Sequence, residues 1–189
     1  MLRKEAIEAL AAARSDAISV ATMQSSSPWH EAGQAEKDHL DAARCMGSAS
    51  SLGLGLALAN PGRKVMVLDG DGSLLMQLGS LVTVAHASPK NFYHFIFGNG
   101  VHESTGNQPL PGWGKFDFCS LALAAGYPDA VRIETKEQLK KELPRIFNIA
   151  GPVLISLAID IEEWRPQFPG VPMSSQIQAL RKTLVPPYK

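Results

Sequence analysis

Lys64-Val-Met-Val-Leu-Asp-Gly-Asp-Gly-Ser73 decides how this chain is built. Lys64 to Leu68 is an apolar run of strand length, and it stops at a cluster of aspartate and glycine, the usual punctuation after a strand. Ahead of it, residues 47–60 are small and apolar and are halted by Asn60-Pro61-Gly62. Glycines at 47, 53 and 55 would each weaken an isolated helix by about 1 kcal/mol against alanine, so this helix must be packed closely against a backbone or a ligand. Behind the quoted stretch, Ser73 to Ala87 reads as one helix. Ser73 is its expected N-cap, and Leu74, Leu78, Leu81 and Ala85 share a face. Asn91 to Phe97 is a second apolar strand, ending at Gly98-Asn99-Gly100.

The same reading extends to both ends. Residues 3–14 form an amphipathic helix with Ile7, Leu10 and Ala11 on one face, followed by a strand from Ile18 to Thr22. Residues 24–38 are polar, without a clear period, and read as loop with room for one helical turn. A polar loop also runs from 101 to 114. Beyond it come a helix at Phe118–Ala125, a strand at Ala130–Ile133 and a helix capped by Thr135 that extends to about Phe147. Pro144 predicts a kink or an early end in that helix. Pro152 to Ile159 is the last strand, residues 160–173 a tail loop, and Ser174 to Leu184 a closing helix.

Apolar strands alternating with helices predict an α/β fold: a three-layer, doubly wound, mostly parallel sheet covered on both faces. The 189 residues suit one domain, and 45% apolar content is enough for a core without disulfides or a structural metal. Lys plus Arg equals Asp plus Glu at 18 each, which excludes a net basic field for nucleic acid or membrane surfaces. Cys45 and Cys119 form neither a CxxC pair nor a zinc spacing, as expected for the reducing cytoplasm. The amino-terminal stretch is charged rather than signal-like, and the longest mainly apolar run, Leu52 to Ala59, is far short of the ~20 residues of a membrane span.

In a parallel sheet, ligands bind beyond the carboxyl ends of the strands, where Gly70-Asp71-Gly72-Ser73 and Gly98-Asn99-Gly100-Val101 are expected. A calcium loop is excluded, because Leu74 stands where glycine belongs and Ser80 where glutamate belongs. A dinucleotide fingerprint is excluded too. Gly53 and Gly55 have no third glycine at Leu58, and they precede a strand rather than follow one. A strand–GDGS–helix unit instead suits an anion at helical N–H groups, with Gly70 and Gly72 admitting close approach and Asp71 holding a hard cation such as magnesium. Asn99 lies 28 positions after Asp71, one strand–helix–strand step onward, within reach of the same metal.

GDGS, then Leu74 to Phe97, then Gly98-Asn99, resembles the GDG…NN motif of thiamine diphosphate-dependent enzymes. Cys45-Met-Gly-Ser-Ala-Ser-Ser-Leu-Gly-Leu-Gly-Leu-Ala-Leu58 is similar to that family's GSMG…GLGLAL segment. Gly72-Ser-Leu-Leu-Met-Gln-Leu-Gly-Ser-Leu81 and Val101-His-Glu-Ser-Thr-Gly-Asn-Gln-Pro109 are most like the sulfopyruvate and phosphonopyruvate decarboxylases of the family. The resemblance implies magnesium held by Asp71, Asn99 and the Val101 carbonyl, and diphosphate held by Gly70, Gly72 and Ser73. It further implies Met46 beneath a bent cofactor, with the Arg44 carbonyl accepting from the pyrimidine amino group. Gly98 replaces the first asparagine of the usual pair, and Arg44 the usual glycine.

What the family also needs, a glutamate at the pyrimidine end of the cofactor, belongs to another domain. The expectation is therefore a beta subunit of a two-component decarboxylase of a 2-oxo acid, sulfopyruvate or phosphonopyruvate. It would act in a hetero-oligomer with an alpha subunit that carries the pyrimidine-binding domain. Carboligation, an oxidoreductase component and a non-catalytic subunit that kept the fold are the alternatives. His102 is either an exposed loop histidine or a group that relays protons or meets an acidic substrate group, and Glu103 beside it is a weaker catalytic candidate. Ser104, Thr105, Asn107 and Gln108 are candidate donors to the substrate. His94 reads as core, His30, His39 and His86 have no evident partner, and Trp113 and Trp164 are expected to pack at interfaces.

Overall fold

The computed structural model describes residues 1–162 and 171–184; Trp164 and most of the expected tail loop lie outside them. The strands in chain order are β1 (Ile18–Ala21), β2 (His39–Asp41), β3 (Val65–Gly70), β4 (Phe92–Gly98), β5 (Val101–His102), β6 (Gln108–Pro109), β7 (Asp129–Ile133) and β8 (Val153–Ala158). The helices are α1 (Arg3–Ala13), α2 (Ser26–Glu31), α3 (Ala49–Ala59), α4 (Asp71–Met76), α5 (Ser80–Ala87), α6 (Phe118–Ala125), α7 (Lys136–Asn148) and α8 (Met173–Leu184). A six-stranded sheet runs β2-β1-β3-β4-β8-β7, and every neighbouring pair is parallel. The expected doubly wound α/β sheet is what forms.

The apolar strands feed two cores. Val65 and Val67 of β3 face one side, with Ala49, Leu54 and Ala57 of α3, Leu81 and Val84 of α5 and Ala122 of α6. Met66 and Leu68 face the other, with Ile7 and Leu10 of α1, Trp29 of α2 and Leu139, Leu143 and Ile146 of α7. Successive strand residues point to opposite faces, so a sheet covered on both sides needs apolar residues at every position. That is why these strands show no polar–apolar alternation.

Several local expectations are corrected. Ser73 is not an N-cap: α4 starts at Asp71 with Gly70 in the extended cap position. The Ser73 hydroxyl instead accepts the Gly47 N–H at 3.0 Å. The single helix expected over 73–87 is two, because the chain leaves helical geometry at Gln77 and restarts after Gly79. Pro144 does not end α7, which continues to Asn148. It stands on the exposed side of the helix, while Leu139, Leu143 and Ile146 stay buried. The polar loop after β4 contains a small antiparallel ladder, β5 with β6.

Strand β2 went unread because it is polar. Its buried polar side chains meet neighbours that lie apart in sequence, although His39 Nε2 is left without a hydrogen-bond partner among the described residues. The Ser19 hydroxyl meets His39 Nδ1 at 2.9 Å, Asp41 accepts from the Ser26 hydroxyl at 2.8 Å, and His30 Nε2 lies 3.3 Å from Asp41. Burial, reinforced by His30 and Arg14, pushes His39 down to about 3, so the ring stays neutral in the fold.

The glycines of α3 divide by environment. A Cβ on Gly53 would lie 2.3 Å from Val67 Cγ2, whereas one on Gly55 would meet nothing within 4 Å. Gly53→Ala is therefore expected to destabilise the protein by about 1–3 kcal/mol through overpacking. Gly55→Ala should leave stability unchanged or raise it by up to about 1 kcal/mol. Urea denaturation of both variants separates close packing from helix propensity, and equal effects would contradict the assignment.

Candidate active site

The strand order reverses between β1 and β3, so their connections leave in opposite directions and open a crevice at the carboxyl ends of the strands. A cavity occupies this end of the sheet. Its walls are the chain after β1 (Thr22–Ser25), the β3–α4 loop (Asp69–Ser73), the segment after β4 (Asn99, Val101–Thr105), Met46 and Arg3. Met46, Gly70, Asp71, Gly72, Ser73, Asn99, Val101, His102 and Glu103 thus come together, although they are spread along the sequence from position 46 to position 103. Arg44 does not join them: it is exposed and lies outside the cavity wall.

Asp71 organises the floor and is 4% exposed. One carboxylate oxygen accepts the Gly72 N–H at 2.7 Å, and the other accepts those of Asn99 at 2.8 Å and Gly100 at 2.7 Å. Burial raises the Asp71 pKa, while these three N–H groups and His102 pull against it. The carboxylate is therefore an incompletely balanced anion. Asn99 and Val101 bring further oxygen atoms to the same wall. Asn99 Oδ1 accepts the Val101 N–H at 3.1 Å and keeps a second lone pair. Across the β5–β6 ladder Val101 faces Pro109, which has no N–H to give to the Val101 carbonyl. A carboxylate, an amide oxygen and a carbonyl on one wall suit a hard cation.

Other contacts tie the wall together. Because the Ser73 hydroxyl accepts from Gly47, its own proton is left to donate into the cavity, and the Met46 segment is joined to α4. A Cβ on Gly72 would lie 2.7 Å from the His102 ring, so only glycine lets the imidazole close over this loop. The Arg3 guanidinium donates to Glu103 at 2.6 Å, and both side chains are buried. Gln24 reaches Ser104 at 3.4 Å. Arg3 and Thr22–Ser25 escaped the sequence reading. The parallel strand Ile18–Thr22 implied that its end would reach this crevice, but nothing marked Arg3.

His94 is fully buried, as expected of a core histidine, but it also pairs through Nε2 with Asp69 at 3.1 Å. Asp69 in turn accepts the Gly70 N–H at 2.9 Å, so the loop is braced from beneath. His86 is exposed.

Fold and cavity together define a parallel α/β ligand-binding domain whose site lies at the switch point of the sheet. Residues 30–157 match the family model "Thiamine pyrophosphate enzyme, C-terminal TPP binding domain", and the chain belongs to that family. It is 44% identical over 114 residues to phosphonopyruvate decarboxylase of Streptomyces viridochromogenes, covering 60% of this chain and 28% of the relative. It is also 44% identical over 103 residues to sulfopyruvate decarboxylase subunit beta of Methanocaldococcus jannaschii, covering 54% of each. The chain thus spans about half or less of the length of these relatives. In fold it is similar to a putative thiamin diphosphate-dependent enzyme from Mycobacterium smegmatis, with a TM-score of 0.71 and 19% identity over 86% of this chain and 32% of the other.

The raised pKa of Asp71 has a measurable sign. Its folded-state value lies above its unfolded one, so the stability contributed by the protonated form is complete below the unfolded value and is lost as pH rises through the folded value. The Asp71 side-chain carboxyl, followed by carbon-13 NMR in the ligand-free protein, should titrate above the ordinary aspartate range. A midpoint at or below that range would contradict the burial argument.

Proposed function

We propose that this chain is the beta subunit of a two-component, thiamine diphosphate-dependent decarboxylase of sulfopyruvate or phosphonopyruvate. In this reading it is one diphosphate- and magnesium-binding domain, completed by an alpha subunit with the pyrimidine-binding domain in a cytoplasmic hetero-oligomer. The observation that carries the reading is the convergence of Asp71, Asn99 and Val101 on one cavity wall, beside Gly72 and Ser73. The likeness to decarboxylases of two such acids, one of them named as a beta subunit, supports the substrate class.

Asp71, the Asn99 amide oxygen and the Val101 carbonyl would hold magnesium, leaving positions for phosphate oxygens and water. Gly70, Gly72 and the Ser73 hydroxyl would receive the diphosphate, and Met46, which also lines the cavity, would support the cofactor. When bound, thiamine diphosphate would supply an electron sink for the electron pair left on the substrate carbon as carbon dioxide departs. His102, whose ring lies over Gly72, would move a proton at the reacting carbon. Glu103, held by Arg3, keeps the turn that carries His102 in place.

Three outcomes test this reading. The chain alone should not turn over either 2-oxo acid, and activity should appear on adding a partner that carries a pyrimidine-binding domain; full activity without a partner would sink the split site. In the assembled complex, Asp71→Ala should abolish magnesium-dependent binding of thiamine diphosphate, measured by calorimetry, and unaltered binding would refute the metal assignment. His102→Ala should lower kcat about 10²–10⁴-fold with cofactor affinity preserved, the range expected for loss of a general acid–base group.

A further inference from the structure

We propose that Trp113 is a positioning residue for the turn that aims Asn99, and that glycine at position 98 is matched to its indole. The inference rests on the assignment of Asn99 to the metal made above. The turn Gly98–Asn99–Gly100 is gripped from two sides. On one side, Asp71 takes the N–H groups of Asn99 and Gly100. On the other lies the Trp113 ring. A Cβ on Gly100 would fall 2.6 Å from Trp113 Cε2 and Nε1, and one on Gly98 would fall 3.3 Å from Trp113 Cη2. One indole thus covers both glycines, and Asn99, between them, bears the turn's only side chain. Gly100 also has φ +79, a backbone region that suits glycine.

The backbone that carries the indole is fastened to the turn that the ring covers. The Gly100 carbonyl accepts the Leu110 backbone N–H at 2.9 Å, and the Leu110 carbonyl accepts the backbone N–H of Trp113 at 3.2 Å. Phe116 supports the ring edge-on, with centroids 6.4 Å apart. Trp113 is nevertheless 47% exposed, so it contributes little to either core. A large aromatic placed half in water over two glycines exerts its effect on the backbone beneath it. If the indole is removed, Asp71 and the backbone bonds from Leu110 and Ile159 still tether the turn, but nothing covers its two glycines on the indole side, and the Asn99 amide oxygen has a wider range of positions relative to the other two oxygen donors.

The test uses the full chain and its complex with the partner, comparing the wild type with Trp113→Ala and Trp113→Phe. Amide hydrogen exchange is followed first, without cofactor or metal. Trp113→Ala should speed exchange at Asn99 and Gly100 while leaving the amides of β3 unchanged; unchanged exchange at both would overturn the proposal, and so would a general speeding through β3 and β4. Magnesium titration of thiamine diphosphate binding comes second. Trp113→Ala should weaken it about 10–100-fold, as expected when a group supporting a metal ligand is lost, and Trp113→Phe should restore most of the affinity. Affinity equal to wild type in Trp113→Ala would overturn the aiming of Asn99. If the wild-type complex binds no cofactor, the function proposed above fails, and the exchange result still decides whether Trp113 holds the turn. Gly98→Ala should weaken binding in the wild type and less so beside Trp113→Ala; purely additive losses would refute the match between the two residues.

Discussion

The carboxylate of Asp71 is the point on which this end of the molecule is built. It accepts three backbone N–H groups from two loops that lie 28 positions apart. Hydrogen bonds to a charged group contribute about 1.5–3 kcal/mol each, so this anchor is strong locally. The raised pKa nevertheless means that desolvation outweighs those bonds and the charge is left under-compensated. The fold therefore carries an anion that it does not fully neutralise. Parallel pairing of β3 with β4 makes the arrangement geometrically inevitable, because Gly70 and Phe97 are register partners and both loops leave at one level.

From that anchor the remaining constraints spread outward. The Ser73 hydroxyl ties α4 to the Met46 segment, and Ser50 donates to Ser80 at 2.8 Å, joining α3 to α5. Below the loop, Asp69 and His94 form a buried pair; above it, Arg3 and Glu103 form another. Such pairs stabilise little in net terms, because desolvation offsets much of their attraction, but each leaves an expensive orphan if one member is lost. They fix positions more than they add stability. The site is consequently made of parts from α1, the chain after β1, the Met46 segment, β3, α4 and the segment after β4, and no continuous stretch contains it.

What was legible in the sequence follows from where the information lay. Strands β3, β4 and β8 announced themselves because burial on both faces demands unbroken apolar runs, and the GDGS loop because its residue types fit one kind of chemistry. Strand β2 was illegible because its buried groups are polar and their partners, Ser19 and Ser26, lie in other segments. Arg3 was illegible for the same reason, since its partner Glu103 is 100 positions away. The break between α4 and α5 was hidden by a helical hydrophobic pattern that continues across it. Pro144 did not end α7 early, and the helix reaches Asn148, close to the end expected near Phe147; Pro144 is tolerated on the exposed side, which residue type alone did not reveal.

The six-stranded sheet has two borders, and one of them is sealed. At β2, the amide of Asp41 donates to the side-chain oxygen of Gln176 at 2.7 Å, a bond that an added strand would otherwise take. Leu180 of the same helix is buried against the rest of the chain. A helix laid along an open border denies it to other chains as a template for sheet growth. Assembly with further copies or other subunits is thereby steered away from continuous-sheet stacking at this border. Residues 173–184 thus guard a strand from which they lie far in sequence.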